Sequence, residues 1–110
     1  MNRPIHGSLT KEVNMEIRVQ SVKFDADQKL LDFIEKKFSK LPRFFENIVT
    51  TEVTLSLLND HENKNVKVNV HIPGNSVVVE RSAKSFETAI NDCADILKEQ
   101  LTRRKELMQE

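Results

Sequence analysis

Seventeen lysines and arginines stand against seventeen aspartates and glutamates in 110 residues, so the chain carries no formal net charge. At 31% charged and 38% hydrophobic residues it has the composition of a folded domain, not of a disordered segment, which would be poorer in apolar residues and richer in net charge. This length holds one domain, which removes about two thirds of its unfolded surface from water and needs no metal or disulfide to complete its core.

Residues 1–14 show no sustained period and contain Pro4 and Gly7, which reads as a flexible extension ahead of a domain over 15–110. Met15 is a candidate internal start. Ile17, Val19 and Ser21 then alternate with Arg18, Gln20 and Val22, the period of a half-buried strand. Asp25 followed by Gln28 has capping-box spacing and predicts a helix starting there. At about 100° per residue, Leu30, Ile34, Phe38 and Leu41 share one face, with Leu31 and Phe33 at its borders and Lys29, Lys36 and Lys40 opposite. Lys37 falls at the margin, where its methylenes can cover apolar surface while the ammonium reaches water. Pro42 disfavours helical geometry at Leu41, so the helix should end or kink near Lys40. Arg43, Phe44 and Phe45 then form a turn whose rings close the core.

Residues 50–58, 65–72 and 76–83 read as an antiparallel meander. Val53, Leu55 and Leu57 alternate in the first strand, and Val66, Val68, Val70 and Ile72 in the second, with Lys67, Asn69 and His71 outward. Polar residues 59–64 and Pro73-Gly74-Asn75 supply the two loops. Ser85 can cap a final helix that carries Glu87 in its first turn and buries Phe86, Ala89, Ile90, Cys93, Leu97 and Leu101. Its acids come early (Glu87, Asp92, Asp95, Glu99) and its bases late (Lys98, Arg103, Arg104, Lys105). The order β-α-β-β-β-α is α+β. A right-handed crossover between parallel strands then puts both helices on one face of a four-stranded mixed sheet, a topology like that of double-stranded RNA-binding domains. The other face stays open to water.

Several function classes fall away on residue types alone. Two glycines, Gly7 and Gly74, cannot build a glycine-rich phosphate loop, so the nucleotide folds are excluded. Cys93 is the only cysteine, which rules out an internal disulfide and points to a reducing compartment; on an apolar stripe it is a small buried hydrophobe, not a nucleophile. His6, His61 and His71 have no ligand spacing, so no metal is expected. No pattern places a buried carboxylate pair, so acid-base catalysis has no candidate; neither an enzyme nor a cofactor is expected. No run approaches the roughly 18 apolar residues of a membrane helix and the start lacks a signal peptide's apolar region, so the expected location is cytoplasmic. Phe33, Phe38 and Phe86 sit at core spacing and Phe44-Phe45 in a turn, which argues against stacking on bases. Taken alone, the lysines of the first helix are a solvated face, and the cations at the end of the second complement the helix dipole at about 0.3 to 1 kcal/mol each.

Five pieces in order change the weight of those cations. They are Lys37-Phe38-Ser39-Lys40-Leu41, the pair Phe45-Glu46, the turn His71-Ile72-Pro73-Gly74, Phe86 with Ala89-Ile90-Asn91, and Leu97 through Gln100-Leu101 to Lys105. Over residues 15–107 the chain resembles the short ribosome hibernation promoting factors, a family that includes the ribosome-associated inhibitor and was once called sigma-54 modulation protein. The resemblance implies an RNA-binding domain that sits on the small ribosomal subunit between head and body, overlaps the paths of mRNA and tRNA, and inhibits translation in stationary phase or stress. The implied partners are the small subunit and its ribosomal RNA, with no membrane and no small-molecule substrate, and a monomer off the ribosome.

The family's phosphate-contacting lysines fall on Lys37 and Lys40 in the first helix and on Arg103 and Lys105 in the second. Lys98 matches a base found in some relatives, and Arg104 completes the cluster. Two positions depart from the family: Glu99 stands where many relatives have Arg, placing a repulsive carboxylate beside the expected phosphate surface, and Asn91 replaces an Asp. Long members append a second domain that pairs ribosomes, and a chain ending at Glu110 is not expected to pair them by that route. The rival readings are a double-stranded RNA-binding module and a neutral ferredoxin-like interaction domain. Zero net charge is compatible with a local basic surface but implies weak general affinity for nucleic acid.

Overall fold

The computed structural model of the chain describes residues 16–59, 61 and 63–108; the extension expected over 1–14 lies outside the described residues. The alternation after Met15 forms strand β1 (Glu16–Ser21), with Ile17, Val19 and Ser21 half-buried and Glu16, Arg18 and Gln20 exposed. The elements that follow are helix α1 (Gln28–Phe38), a single 3-10 turn (Leu41–Arg43), strands β2 (Thr50–Leu57), β3 (Lys64–Ile72) and β4 (Asn75–Ala83), and helix α2 (Phe86–Met108). The sheet order is β1-β2-β3-β4, with β1 parallel to β2 and the remaining pairs antiparallel. This is the α+β mixed sheet the element order implies.

Register explains why the core is continuous. Val19 lies opposite Val53, Val53 opposite Val68, and Val68 opposite Val79, so one row of valines crosses all four strands. Both helices cover that face. Ile34 and Phe38 from α1 and Ala89, Ile90, Cys93, Leu97 and Leu101 from α2 are fully buried against it. At about 25 cal/mol per Å² of apolar area, this shared interior supplies most of the drive to fold. Pro73 and Gly74 make a two-residue turn between the paired Ile72 and Asn75. Gly74 has φ of 76°, a conformation that costs glycine little.

The structure corrects the start of α1. Its N-cap is Asp27, whose Oδ1 accepts a hydrogen bond from the Leu30 N–H at 2.9 Å; Asp25 does not cap the helix. Gln28 does not reach back to a cap: its Nε2 donates instead to Asp32 Oδ1 at 2.9 Å. The physical reason lies in the two residues between the rival caps. Phe24 stacks on Phe86 with ring centroids 5.2 Å apart and Ala26 packs on the core, so the chain from Phe24 to Ala26 is spent on packing before the helix can begin. The other end matches expectation: the Ser39 N–H donates to the Glu35 carbonyl at 2.9 Å, and Pro42 sits in the 3-10 turn.

A second correction concerns Leu57, which is 48% exposed although its alternation with Val53 and Leu55 points inward. Strand β1 ends opposite Leu55, so Leu57 lies beyond its last neighbour on that side. On the open face, Asn65 is nearly buried and donates from Nδ2 to Glu80 Oε2 at 2.8 Å. Glu52 there bridges His71 at 3.2 Å and Arg18 at 3.7 Å, while Lys67 stays exposed.

Candidate nucleic-acid interface

The apolar stripe of α1 decides where its cations go. Burial of Leu30, Ile34 and Phe38 against the sheet leaves Lys29 and Lys36 facing water and Lys37 half-buried at the margin. Phe33, one turn earlier, half-buries its ring beside that margin, and the Lys37 Nζ stands 5.5 Å from the ring centroid. Lys40 is exposed where the 3-10 turn begins, and the turn continues through Arg43, also exposed, to Phe44, which packs partly into the core.

The corresponding face of α2 meets that turn. Helices α1 and α2 pack against each other, and the exposed Lys98 places its Nζ 5.5 Å from the centroid of the Phe44 ring. The tertiary structure thereby joins the turn that carries Lys40 and Arg43 to the middle of α2. Among the described residues, Lys37, Lys40, Arg43 and Lys98 take part in no ion pair. Their charge is uncancelled by any contacting carboxylate.

The end of α2 is arranged differently. Arg103 starts five residues, about 7.5 Å, further along the axis than Lys98. It is exposed, but its Nη2 donates to Glu99 Oε2 at 3.0 Å. Arg104 and Lys105 are half-buried. Asp95, Lys98, Glu99, Thr102, Arg103 and Glu106 line an open depression along this helix, in which three carboxylates accompany two cations. That mixture is a poor general anion trap, in keeping with the neutral total.

Arg43 is the cation that sequence reasoning left in a turn without a role. Its signal was available in the proline beside it: a helix stop at Pro42 puts Arg43 in the turn after α1, where it is exposed. The contact of Phe44 with Lys98 had no such signal, because it depends on how α2 packs, whereas that of Phe33 with Lys37 follows from their i,i+4 spacing on one helix.

Chemistry of other kinds finds little to work with. Cys93 is fully buried, its thiol 3.7 Å from the Val66 carbonyl oxygen, and burial pushes its pKa up to about 11. A thiol in that state is a poor nucleophile at neutral pH. Among the described residues there is no group of three or more His, Cys, Asp or Glu placed to hold a metal ion, and no helix is long and apolar enough to cross a membrane.

Comparison with known proteins decides what kind of domain this is. The family described as sigma 54 modulation protein / S30EA ribosomal protein matches residues 17–109. The chain belongs to that family. A relative named ribosome hibernation promoting factor from Azotobacter vinelandii is 27% identical over 92 residues, covering 84% of each chain. One of the same name from Pseudomonas putida is 25% identical over 95 residues, 86% of this chain and 91% of the relative. A longer one from Deinococcus radiodurans, named ribosome hibernation promotion factor, is 27% identical over 84 residues, which is 74% of this chain but 44% of the relative. The crystal structure of the Thermus thermophilus Protein Y N-terminal domain superposes with a TM-score of 0.69 at 26% identity, over 78% of this chain and 93% of that one. A ribosomal subunit interface protein from Coxiella burnetii shares the fold with a TM-score of 0.72 at 21% identity, over 84% and 99% of the two chains. The S30EA fold and its β-α-β-β-β-α order therefore extend across the whole domain described above.

Proposed function

We propose that this protein is a ribosome hibernation factor that acts in the cytoplasm, without catalysis, by occupying the mRNA and tRNA channel of the small ribosomal subunit. The observation that carries this reading is the family match over residues 17–109, with relatives that bear the name ribosome hibernation promoting factor. The mechanism is steric: a folded domain seated between head and body leaves no room for mRNA or for tRNA. Its anchors are Lys37 from α1, Lys40 from the turn that follows it, and Lys98, Arg103, Arg104 and Lys105 from α2, each bonding phosphate oxygens of ribosomal RNA through charge-assisted hydrogen bonds. The exposed side chains and absent ion pairs of Lys40 and Lys98 support that role. Recognition is of folded RNA by shape and backbone, since the outward sheet face offers mostly polar side chains and no Phe, Tyr or Trp ring for stacking.

Phosphate anchoring makes affinity fall with salt, each neutralised phosphate adding about 0.7 to 0.9 to the negative slope of log affinity against log salt. The test is co-sedimentation with purified small subunits over a salt series, with and without a competing RNA duplex. Steep salt dependence and indifference to the duplex are expected. Affinity independent of salt would remove the phosphate anchors, and efficient competition by the duplex would favour a general double-stranded RNA binder. Charge reversal at Lys37 and Lys40 together, in protein shown by circular dichroism to be folded, is expected to abolish binding.

A further inference from the structure

Two of the six anchor lysines and arginines are held by aromatic rings and one by a carboxylate, and the difference bears on what each can offer a phosphate. The Lys37 and Lys98 ammonium groups each stand 5.5 Å from a phenylalanine ring centroid, within cation–π range. Arg103 is bound by Glu99. We infer that Phe33 and Phe44 are positioning residues of the RNA-binding surface, holding the ammonium groups of Lys37 and Lys98 in place without neutralising them.

The physical basis is a contrast between two ways of restraining a flexible cation. A carboxylate removes charge and occupies hydrogen-bond donors. A ring face attracts the cation through its quadrupole yet carries no net charge, and an ammonium seated on it keeps donors on its outer side for an oxygen anion. A lysine swinging freely must give up rotamer freedom when it grips a phosphate, so one already restrained loses less on binding. Both rings are suited to the task because both are partly buried and pack against the core, which restricts their own freedom. Phe33 works within one helix, at the spacing of one turn before Lys37. Phe44 works across two elements: it lies at the end of the turn that carries Lys40 and Arg43, and it restrains a lysine of α2.

This inference rests on the proposed ribosome-binding function and is tested separately from it. Phe44→Leu keeps apolar bulk but removes the ring, and Phe44→Tyr keeps the ring. Small-subunit affinity is measured for both, in the wild-type and Lys98→Ala backgrounds. Phe44→Leu is expected to weaken binding about two- to fivefold in the wild-type background, the exposed cation–π range expressed as an affinity ratio. It is expected to change nothing further in Lys98→Ala, while Phe44→Tyr binds as wild type. Equal weakening in both backgrounds, or none in either, would overturn the assignment, since a merely structural ring affects both alike. The same cycle applies to Phe33→Leu with Lys37→Ala. A readout without ribosomes accompanies it: the ε-methylene protons of Lys98 in the free protein are expected to show an upfield ring-current shift that Phe44→Leu abolishes, and its absence from the wild type would overturn the positioning directly. Wild-type protein that shows the shift but never binds small subunits would sink the functional reading and the RNA role of the rings with it, while leaving the lysine–ring contact in place.

Discussion

Glu99 and Arg103 face each other one turn apart on α2, with Arg103 Nη2 3.0 Å from Glu99 Oε2 and both side chains about two-thirds exposed. The order, acid four residues before base, is the favourable one for a helical pair. Glu99 is thus more than a carboxylate near the proposed phosphate surface: it occupies the guanidinium proposed to contact a phosphate. Binding RNA through Arg103 requires breaking this pair or sharing it.

Glu99→Gln is expected to release Arg103. Ribosome binding should tighten and the negative salt slope should grow by about 0.7 to 0.9, one extra phosphate. Glu99→Arg should tighten binding further. The cost to the fold is small, about 0.3 to 0.5 kcal/mol for an exposed helical pair. Co-sedimentation across a salt series reads the first effect and urea unfolding the second; weaker binding by Glu99→Gln would show that the pair itself contacts the ribosome.

Asp27→Ala is expected to destabilise the domain by about 0.5 to 2 kcal/mol, because the Leu30 N–H loses its acceptor at the first turn of α1. Asp25→Ala should leave stability nearly unchanged. A comparison of urea midpoints for the two variants tests which aspartate caps the helix, and an equal loss from both would refute the assignment to Asp27.

Leu55 and Leu57 alternate on one strand yet differ completely in burial, fully buried against 48% exposed. Leu55→Ala should cost about 2 to 5 kcal/mol through lost burial and the cavity left behind. Leu57→Ala should fall within about 0.5 kcal/mol of wild type, as exposed substitutions do. Thermal and urea unfolding separate the two readily.

The Cys93 thiol is raised from an ordinary value of 9.0 to about 11 by burial. Both folded and unfolded chains therefore carry a neutral thiol at pH 7, and this group contributes no pH dependence there. Between pH 9 and 11 the unfolded thiol loses its proton while the folded one keeps it, so stability falls as pH rises through that window. Cys93→Ser is expected to flatten that part of the stability curve. At neutral pH the native thiol should resist a disulfide reagent until urea unfolds the chain; rapid labelling of folded protein would contradict its burial.

Much of the fold was legible because its signals are local. The stripe from Phe86 to Leu101, the alternation of Val66, Val68, Val70 and Ile72, and the Pro42 stop each follow from one residue's geometry or from the period of one element. Asp25 misled because it satisfies a local rule that a tertiary contact overrides: Phe24 stacks on Phe86 and Ala26 packs on the core, and the helix starts only after Asp27. Leu57 misled because alternation tells which way a side chain points and not whether a neighbouring strand reaches far enough to cover it.

The amino-acid order by itself determined the elements, the face each one buries, the neutral sum of charge and the spacing of Lys37, Lys40, Lys98, Arg103, Arg104 and Lys105 along the chain. These follow from periodicity and side-chain chemistry, which act within a few residues. Tertiary structure alone decided that Lys98 of α2 lies over Phe44 in the turn after α1, whereas the engagement of Arg103 by Glu99 is a contact within one helix, four residues apart. Charge on a helix surface says how many cations exist, whereas the availability of each to a phosphate depends on what packs beside it. That is set by the docking of α2 against α1 and by the choice of rotamer at each site.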